Sequence, residues 1–403
     1  MKILHTADWH LGKKLDRFSR LEEQTAVMDE LLNLAEQQQV DLVLVAGDLF
    51  DSFYPSTAAI DLFYKSLKRL AKEGSRAVVA IAGNHDSPSL IDAPNPLARE
   101  CGIILIGQPN AEVPPFELRD FRITKSESGF IEIQFKKYDY PVRILHTPYA
   151  NEIRLKQNLE EEKENKLNQI LADNWRSLAD KFCDDKGVNL LITHLYMNPK
   201  EGEILEEPDG EKPIKIGNAD MIFSDAIPPQ VQYTALGHLH GYKNIGTETH
   251  PIVYSSSPIA YSFSEAGQAK YAVIITAEPA KPVTFEKHPL SSGKPLHRKS
   301  FKGVDAALEW LREHPHALVE LTLETEDFLK AEERKMLYQT HQGIVYLIPK
   351  LSQKQAESPK EEREINLNQS INSVFEDYFR YKMEGQNPNQ ELKDLFNEIL
   401  TAE

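Results

Sequence analysis

The sequence predicts an α/β fold built on buried strands with polar endings. Three observations lead there. Continuous apolar runs such as DLVLVAGD (41–48) and AVVAIAG (77–83) suit strands buried on both faces. Amphipathic stretches at helical spacing lie between them, giving strand–helix–strand order. The buried runs also share one kind of ending, in aspartate, asparagine or histidine.

Taken in order, residues 2–7 read as the first strand. Ser19–Gln39 reads as a helix with Leu21, Met28, Leu31, Leu32 and Ala35 on one face. After the strand at 41–48, Ile60, Phe63, Tyr64, Leu67 and Leu70 recur at helical spacing, and Gly74 lies where a stop belongs. IILIG (103–107) and VRILHTP (142–148) read as further strands. FIEIQF (130–135) alternates, which predicts a more exposed strand. Asn151–Phe182 reads as a charged helix whose EEEKENK run forms a solvated face. NLLITH (189–194), QYTALGHLH (232–240), a strand with a serine turn at Pro251–Ser257, and KYAVIIT (270–276) complete a first unit.

EPAKP (278–282) suggests a boundary, so the core is expected over 1–278 and a small α+β unit over 279–351. That unit reads as FEKHPL, a helix near Val304–His314, LVELTLE, a helix near Leu329–His341, and IVYLIPK. The polar stretch 352–364 reads as a linker. Over 365–403 two amphipathic helices are expected, one carrying Ile371, Val374, Phe375 and Tyr378, the other Leu392, Leu395, Phe396, Ile399 and Leu400. Narrow apolar stripes of this kind must be covered, by the core or by a partner.

Composition narrows the possibilities. A net charge of −16 argues against wrapping nucleic acid over the whole surface, yet leaves room for a local cationic site. No apolar run approaches the ~18 residues of a membrane span. The opening Met1-Lys2-Ile3 lacks the positive, apolar, small-residue order of a secretory signal and is expected to go straight into a strand. Cys101 and Cys183 are far apart and have no ligand spacing, so buried thiols in a reducing cytoplasm are expected.

The strand endings carry the chemistry. KILHTA leads to Asp8 and His10, LVLVAG to Asp48, and AVVAIAG to Asn84, His85 and Asp86. NLLIT leads to His194, and QYTALG to His238 and His240. Side chains at the carboxyl ends of strands in one core converge on one rim. The D-x-H and H-x-H spacings let extended residues point the same way. Nitrogen and oxygen donors without sulfur suit a catalytic divalent metal such as manganese, iron or zinc. Asp8, His10, Asp48, Asn84, His194, His238 and His240 are too many for one ion and suit two, with Asp48 able to bridge. Two dications outweigh the two carboxylates and leave positive charge for a phosphodiester. His85 stands apart: oriented by the carboxylate of Asp86 beside it, this imidazole is expected either to stabilise phosphate charge or to protonate the leaving oxygen. Lys13, Lys14, Arg17 and Arg20 follow the first ligand loop, where phosphate contacts would be made. His5 reads as a hydrogen-bonded core histidine, and Trp9 as a packing residue turned away from the metals.

DWHLG (8–12), GDLFD (47–51), GNHD (83–86), TH (193–194) and GHLH (237–240) resemble the motifs of the calcineurin-like metallophosphoesterases. HTADWHLGKKL, VLVAGDLFDS, ALGHLHGY and YSSSPIAYSFSE are similar to the SbcD-type nuclease subunits within them. The resemblance implies a four-layer core, a two-sheet β-sandwich flanked by helices, with a small α+β capping domain that positions DNA. It implies one metal on Asp8, His10, Asp48 and His240 and another on Asp48, Asn84, His194 and His238, usually manganese. It implies a DNA exonuclease and endonuclease acting on ends or hairpins in repair, recombination and replication. The implied partner is an SbcC-like SMC-type ATPase bound through the C-terminal helices, with the chain a homodimer inside a heterotetramer. Hydrolysis of small phosphodiesters or phosphomonoesters is the alternative.

Overall fold

The computed structural model describes residues 1–155, 163–200, 205, 221–325, 329–351, 371–382, 388, 392–393 and 396. Residues up to Leu351 form one compact unit and Ser352–Glu403 a second.

Among the described residues the first unit holds two large mixed sheets. One is ordered Thr284–Leu290, Lys270–Thr276, Lys2–Thr6, Leu42–Ala46, Ala77–Ile81, Ile103–Ile106. Its last four strands are parallel and its first two antiparallel. The other is ordered Lys243–Asn244, Ile252–Tyr254, Tyr233–Gly237, Val188–His194, Val142–Thr147, Phe130–Phe135, Phe121–Glu127, with parallel pairing through its centre.

The period of two along each strand sorts side chains between layers. Ile3, Leu42, Leu44, Val79 and Ile81 meet Ile144, Leu190, Ile192 and Ala235 between the sheets. Leu4, Val43, Val45, Val78 and Ala80 face outward onto the helices Leu21–Gln37 and Thr57–Leu70. On the far side Leu145, Leu191 and Leu236 pack against Leu167, Leu171 and Trp175 of the helix Lys163–Phe182. The result is helix, sheet, sheet, helix, the expected four layers. Continuous apolar runs follow from it, because every central strand is covered on both faces.

Several expectations change. Thr284–Leu290 pairs along its length with Lys270–Thr276, so the core sheet runs to Leu290, past the boundary expected at 278. FEKHPL is a mostly exposed edge strand, and its sparse apolar residues hide that membership. FIEIQF is buried instead of half exposed. Its Glu132 is 4% exposed, held by Arg143 at 3.1 Å and Lys125 at 3.0 Å. The charged stretch after Asn151 begins as a short helix, Glu152–Leu155; the first three residues of EEEKENK, 160–162, lie outside the described residues, and its last four open the helix Lys163–Phe182.

Beyond Leu290 a three-stranded parallel sheet is ordered Leu296–Lys302, Leu318–Thr325, Ile344–Leu351. Val319, Leu321 and Leu323 pack under Leu308, Leu311 and Leu337 of the helices Val304–Glu313 and Ala331–Thr340. At one end Leu296, Leu318 and Val345 join Leu15, from the short strand Lys14–Leu15, and Phe263, from the 3-10 turn Phe263–Glu265.

In the second unit the helix Ile371–Lys382 carries Phe375, which stacks on Phe396 at 4.0 Å. The linker expected at 352–364 and most of the last helical stretch lie outside the described residues.

Candidate metal centre

Backbone pairing brings the first two strand endings together. Asp8 N donates to Gly47 O at 3.0 Å, and His10 N to Asp48 O at 2.9 Å. The backbone there is unusual: Asp8, His10, Asp48 and His238 have φ of 54°, 42°, 48° and 99°. Non-glycine residues held at positive φ cost roughly 1–3 kcal/mol each and persist where packing enforces them, often at functional sites. Close approach also explains two glycines. A Cβ on Gly47 would lie 2.3 Å from Nδ1 of His194, and one on Gly83 would lie 2.1 Å from Oδ1 of Asp48.

Three groups of potential ligand atoms converge: Asp8, His10 and His240; Asp8, Asp48 and His194; and His10, Asp51 and His85. Nε2 of His10 is 3.1 Å from Nε2 of His240 and 3.5 Å from Oδ2 of Asp48. His194 donates through Nδ1 to Ala46 O at 2.8 Å, which turns its Nε2 toward Asn84 Oδ1 at 3.0 Å and Asp48 Oδ2 at 3.4 Å. His238 stands slightly apart. Its amide donates to Asp8 Oδ1 at 2.8 Å, and its ring centroid is 5.7 Å from that of His194. Both sheets thus contribute to one rim, as the strand endings predict.

These residues fit divalent cations. Asp8 is fully buried, and its Oδ2 has no hydrogen-bond partner among the described residues. Burial pushes its carboxyl up to about 7, against the pull of His194 and His240. Burial also opposes the charge on Asp48, but His194 and His10 hold it well below the ordinary carboxylate range. His194 is raised to about 9, because Asp48 and Asp8 outweigh its desolvation. A cation among these groups would satisfy the orphan oxygen and replace protons as the compensating charge.

Two expectations are corrected here. Asp86 does not orient His85. Its carboxylate accepts from the backbone amides of Leu49 at 3.0 Å, Phe50 at 2.9 Å and Gly83 at 2.8 Å, fastening the 47–51 loop to the 83–86 loop. His85 is oriented instead by the carbonyl of Asp51, 3.0 Å from Nδ1, while its amide donates to Asp48 Oδ1 at 2.9 Å. Arg20 does not offer itself to phosphate. It is fully buried, with Nε 2.7 Å and Nη2 2.8 Å from the carboxylate of Glu23. Lys14 and Arg17 are exposed, and Lys13 Nζ lies 3.0 Å from Asp51 beside the His10–His85 group.

His5 is the core histidine expected, bonded to Tyr233 Oη at 2.9 Å and Leu236 O at 3.1 Å. Trp9 points away from the rim and donates to Thr6 Oγ1 at 3.1 Å. The serine turn is buried, with Ser256 at φ 84° and its Oγ accepting from Tyr271 N at 2.8 Å. Sequence reasoning missed Asp51, Glu265, Lys270 and Arg154. Arg154 donates to Gly83 O at 2.9 Å and Asp86 O at 2.8 Å, gripping the 83–86 loop from outside. A lone arginine in a charged stretch gives no signal of this.

The calcineurin-like phosphoesterase family model matches residues 1–242. The D chain of the SbcCD nuclease of Bacillus subtilis (strain 168) is 34% identical over 411 aligned positions, covering 100% of this chain and 98% of that protein. Among solved structures, a dimetal phosphatase from Danio rerio aligns with 72% of this chain and 99% of its own, at 11% identity and a TM-score of 0.39. The chain belongs to the calcineurin-like phosphoesterase family and, by its full-length relative, to the SbcD-type nucleases within it.

Proposed function

We propose that this chain is a two-metal DNA nuclease, cutting phosphodiesters at DNA ends and hairpins as the nuclease subunit of an ATP-driven repair and recombination complex. The observation that carries the reading is the convergence of buried carboxylate and imidazole donors on one rim, in a chain related over its full length to a nuclease subunit. We assign one ion to Asp8, His10, Asp48 and His240, the other to Asp48, Asn84, His194 and His238, and the metal to manganese. Such ions, when bound, supply positive charge for the phosphate and a nucleophile at neutral pH.

The chain's own residues do the rest. His85, its Nδ1 fixed on the Asp51 carbonyl, handles the leaving oxygen's proton at Nε2. Asp86 and Arg154 are positioning residues that hold the loop carrying Asn84 and His85. Lys13, Lys14 and Arg17 meet the phosphate backbone. The small parallel sheet after Leu290 adjoins the short strand carrying Leu15 and positions the duplex. The C-terminal helices dock on an SbcC-like SMC-type ATPase, two copies of each chain forming a heterotetramer in the cytoplasm. No helix among the described residues is long and apolar enough to cross a membrane.

A manganese-dependent nuclease assay on hairpin and linear DNA, with and without the ATPase, tests this. Cleavage that disappears in Asp48→Ala is the expected result. Turnover of a small aryl phosphodiester with no cleavage of either DNA would move the assignment to small phosphoesters.

A further inference from the structure

His240 is gripped from two sides by residues outside the ligand motifs. Its Nδ1 is 3.2 Å from Oε1 of Glu265. Its backbone carbonyl accepts a 2.8 Å hydrogen bond from Nζ of Lys270. The two gripping residues are themselves paired, Nζ of Lys270 lying 2.5 Å from Oε2 of Glu265. His240 is 1% exposed, Glu265 2% and Lys270 5%. Glu265 is anchored in turn by the amides of Tyr261 at 3.2 Å and Ser262 at 3.1 Å, and Lys270 by Ser257 Oγ at 3.0 Å.

A buried ion pair adds little net stability over an apolar pair of the same shape. What sets this one apart is that both members hold the same histidine. Across the ring, Nε2 of His240 meets Nε2 of His10 at 3.1 Å and joins Asp8 and His10 in a convergent group. A carboxylate that accepts the Nδ1 proton leaves the lone pair on Nε2, the form of imidazole that binds a metal.

We propose that Glu265 and Lys270 are a clamp that presents the Nε2 lone pair of His240 to one of the two metal ions. Glu265 sets the tautomer and the plane of the ring. Lys270 holds the main chain at His240 and balances the charge of Glu265. Among the described residues neither hydrogen-bonds Asn84 or His194, so the clamp serves one ion and not the other. The inference rests on the assignment of His240 as a ligand.

The test is manganese binding by the full-length chain, followed by titration calorimetry and by the electron paramagnetic resonance of free manganese. Wild type is compared with His240→Ala, Glu265→Gln and the double variant Glu265→Gln/Lys270→Met. Expected for Glu265→Gln is a loss of about 10–100-fold in affinity for one ion, with the other within about twofold of wild type. The double variant leaves no buried charge unpaired, so it is expected to melt close to wild type without metal while the same ion stays weak. It also carries the test if the single variant does not fold. Wild-type affinity for both ions in either folded variant overturns the clamp, as does equal loss of both. Wild-type binding by His240→Ala overturns the ligand assignment itself, and the clamp with it.

Discussion

In the small unit after Leu290, the buried side chains are apolar apart from His341, and positive φ falls on a glycine, Gly303. At the rim of the sandwich the buried side chains are aspartates and histidines, and positive φ falls on Asp8, His10, Asp48 and His238. The first region is organised by water leaving apolar surface. The second is organised against local preference and is held by the layers around it. Stability therefore resides in one kind of region and chemistry in the other, and substitutions can separate them.

The largest expected effect is at the rim. Asp48→Ala should reduce DNA cleavage in manganese to background, because it removes the carboxylate shared by both proposed ligand sets. His85→Ala should lower it by ~10²–10⁴-fold while both ions remain bound. Full activity in metal-loaded His85→Ala would remove His85 from catalysis. Next is Leu321→Ala in the small unit, expected to cost about 2–5 kcal/mol by cavity formation. Melting would report it, and DNA cleavage should fall while hydrolysis of a small aryl phosphodiester persists. Equal loss on both substrates would erase the contrast between the regions.

Arg20 and Lys14 sharpen it further. Arg20→Ala leaves the buried Glu23 without its counter-ion, holding only the Lys294 amide among the described residues, and should cost about 3–5 kcal/mol. Lys14→Ala should leave melting unchanged and reduce the salt slope of DNA binding by about 1. The smallest effect is a pH slope. Burial lowers His5 and His146 to about 3. Between that value and the ordinary histidine range the unfolded chain binds more protons than the folded one. The contribution of each to stability is thus present above the unfolded pKa and is lost as pH falls toward 3, by up to about 1.4 kcal/mol per pH unit. Urea titrations of metal-free protein from pH 6 to 4 should show a shallower slope in His146→Leu.

Much of this molecule is legible in its sequence because the layers demand it. Strands covered on both faces must be apolar throughout, so DLVLVAG and AVVAIAG announce themselves. The proposed ligands are legible because they follow those strands at once. What stays hidden is whatever depends on the backbone of a distant loop. Asp86 stands beside His85 in sequence, yet its carboxylate meets three main-chain amides that carry no side-chain signature. Arg20 reads as surface charge until Glu23 is seen across one helical turn. Thr284–Leu290 reads as the start of a new unit because an edge strand needs few apolar residues.

The hydrogen bond from the His238 amide to Asp8 spans 230 residues of chain. It has a consequence for the order of synthesis. A ribosome releases the first three of the proposed ligand motifs early, and with them most of the carboxylate charge of the proposed centre. The imidazoles of His238 and His240 emerge only after the second sheet is nearly complete. A half-made chain can therefore hold acidic fragments of the centre but not the whole of it, so the ability to cut DNA arrives with the closing of the sandwich and not before.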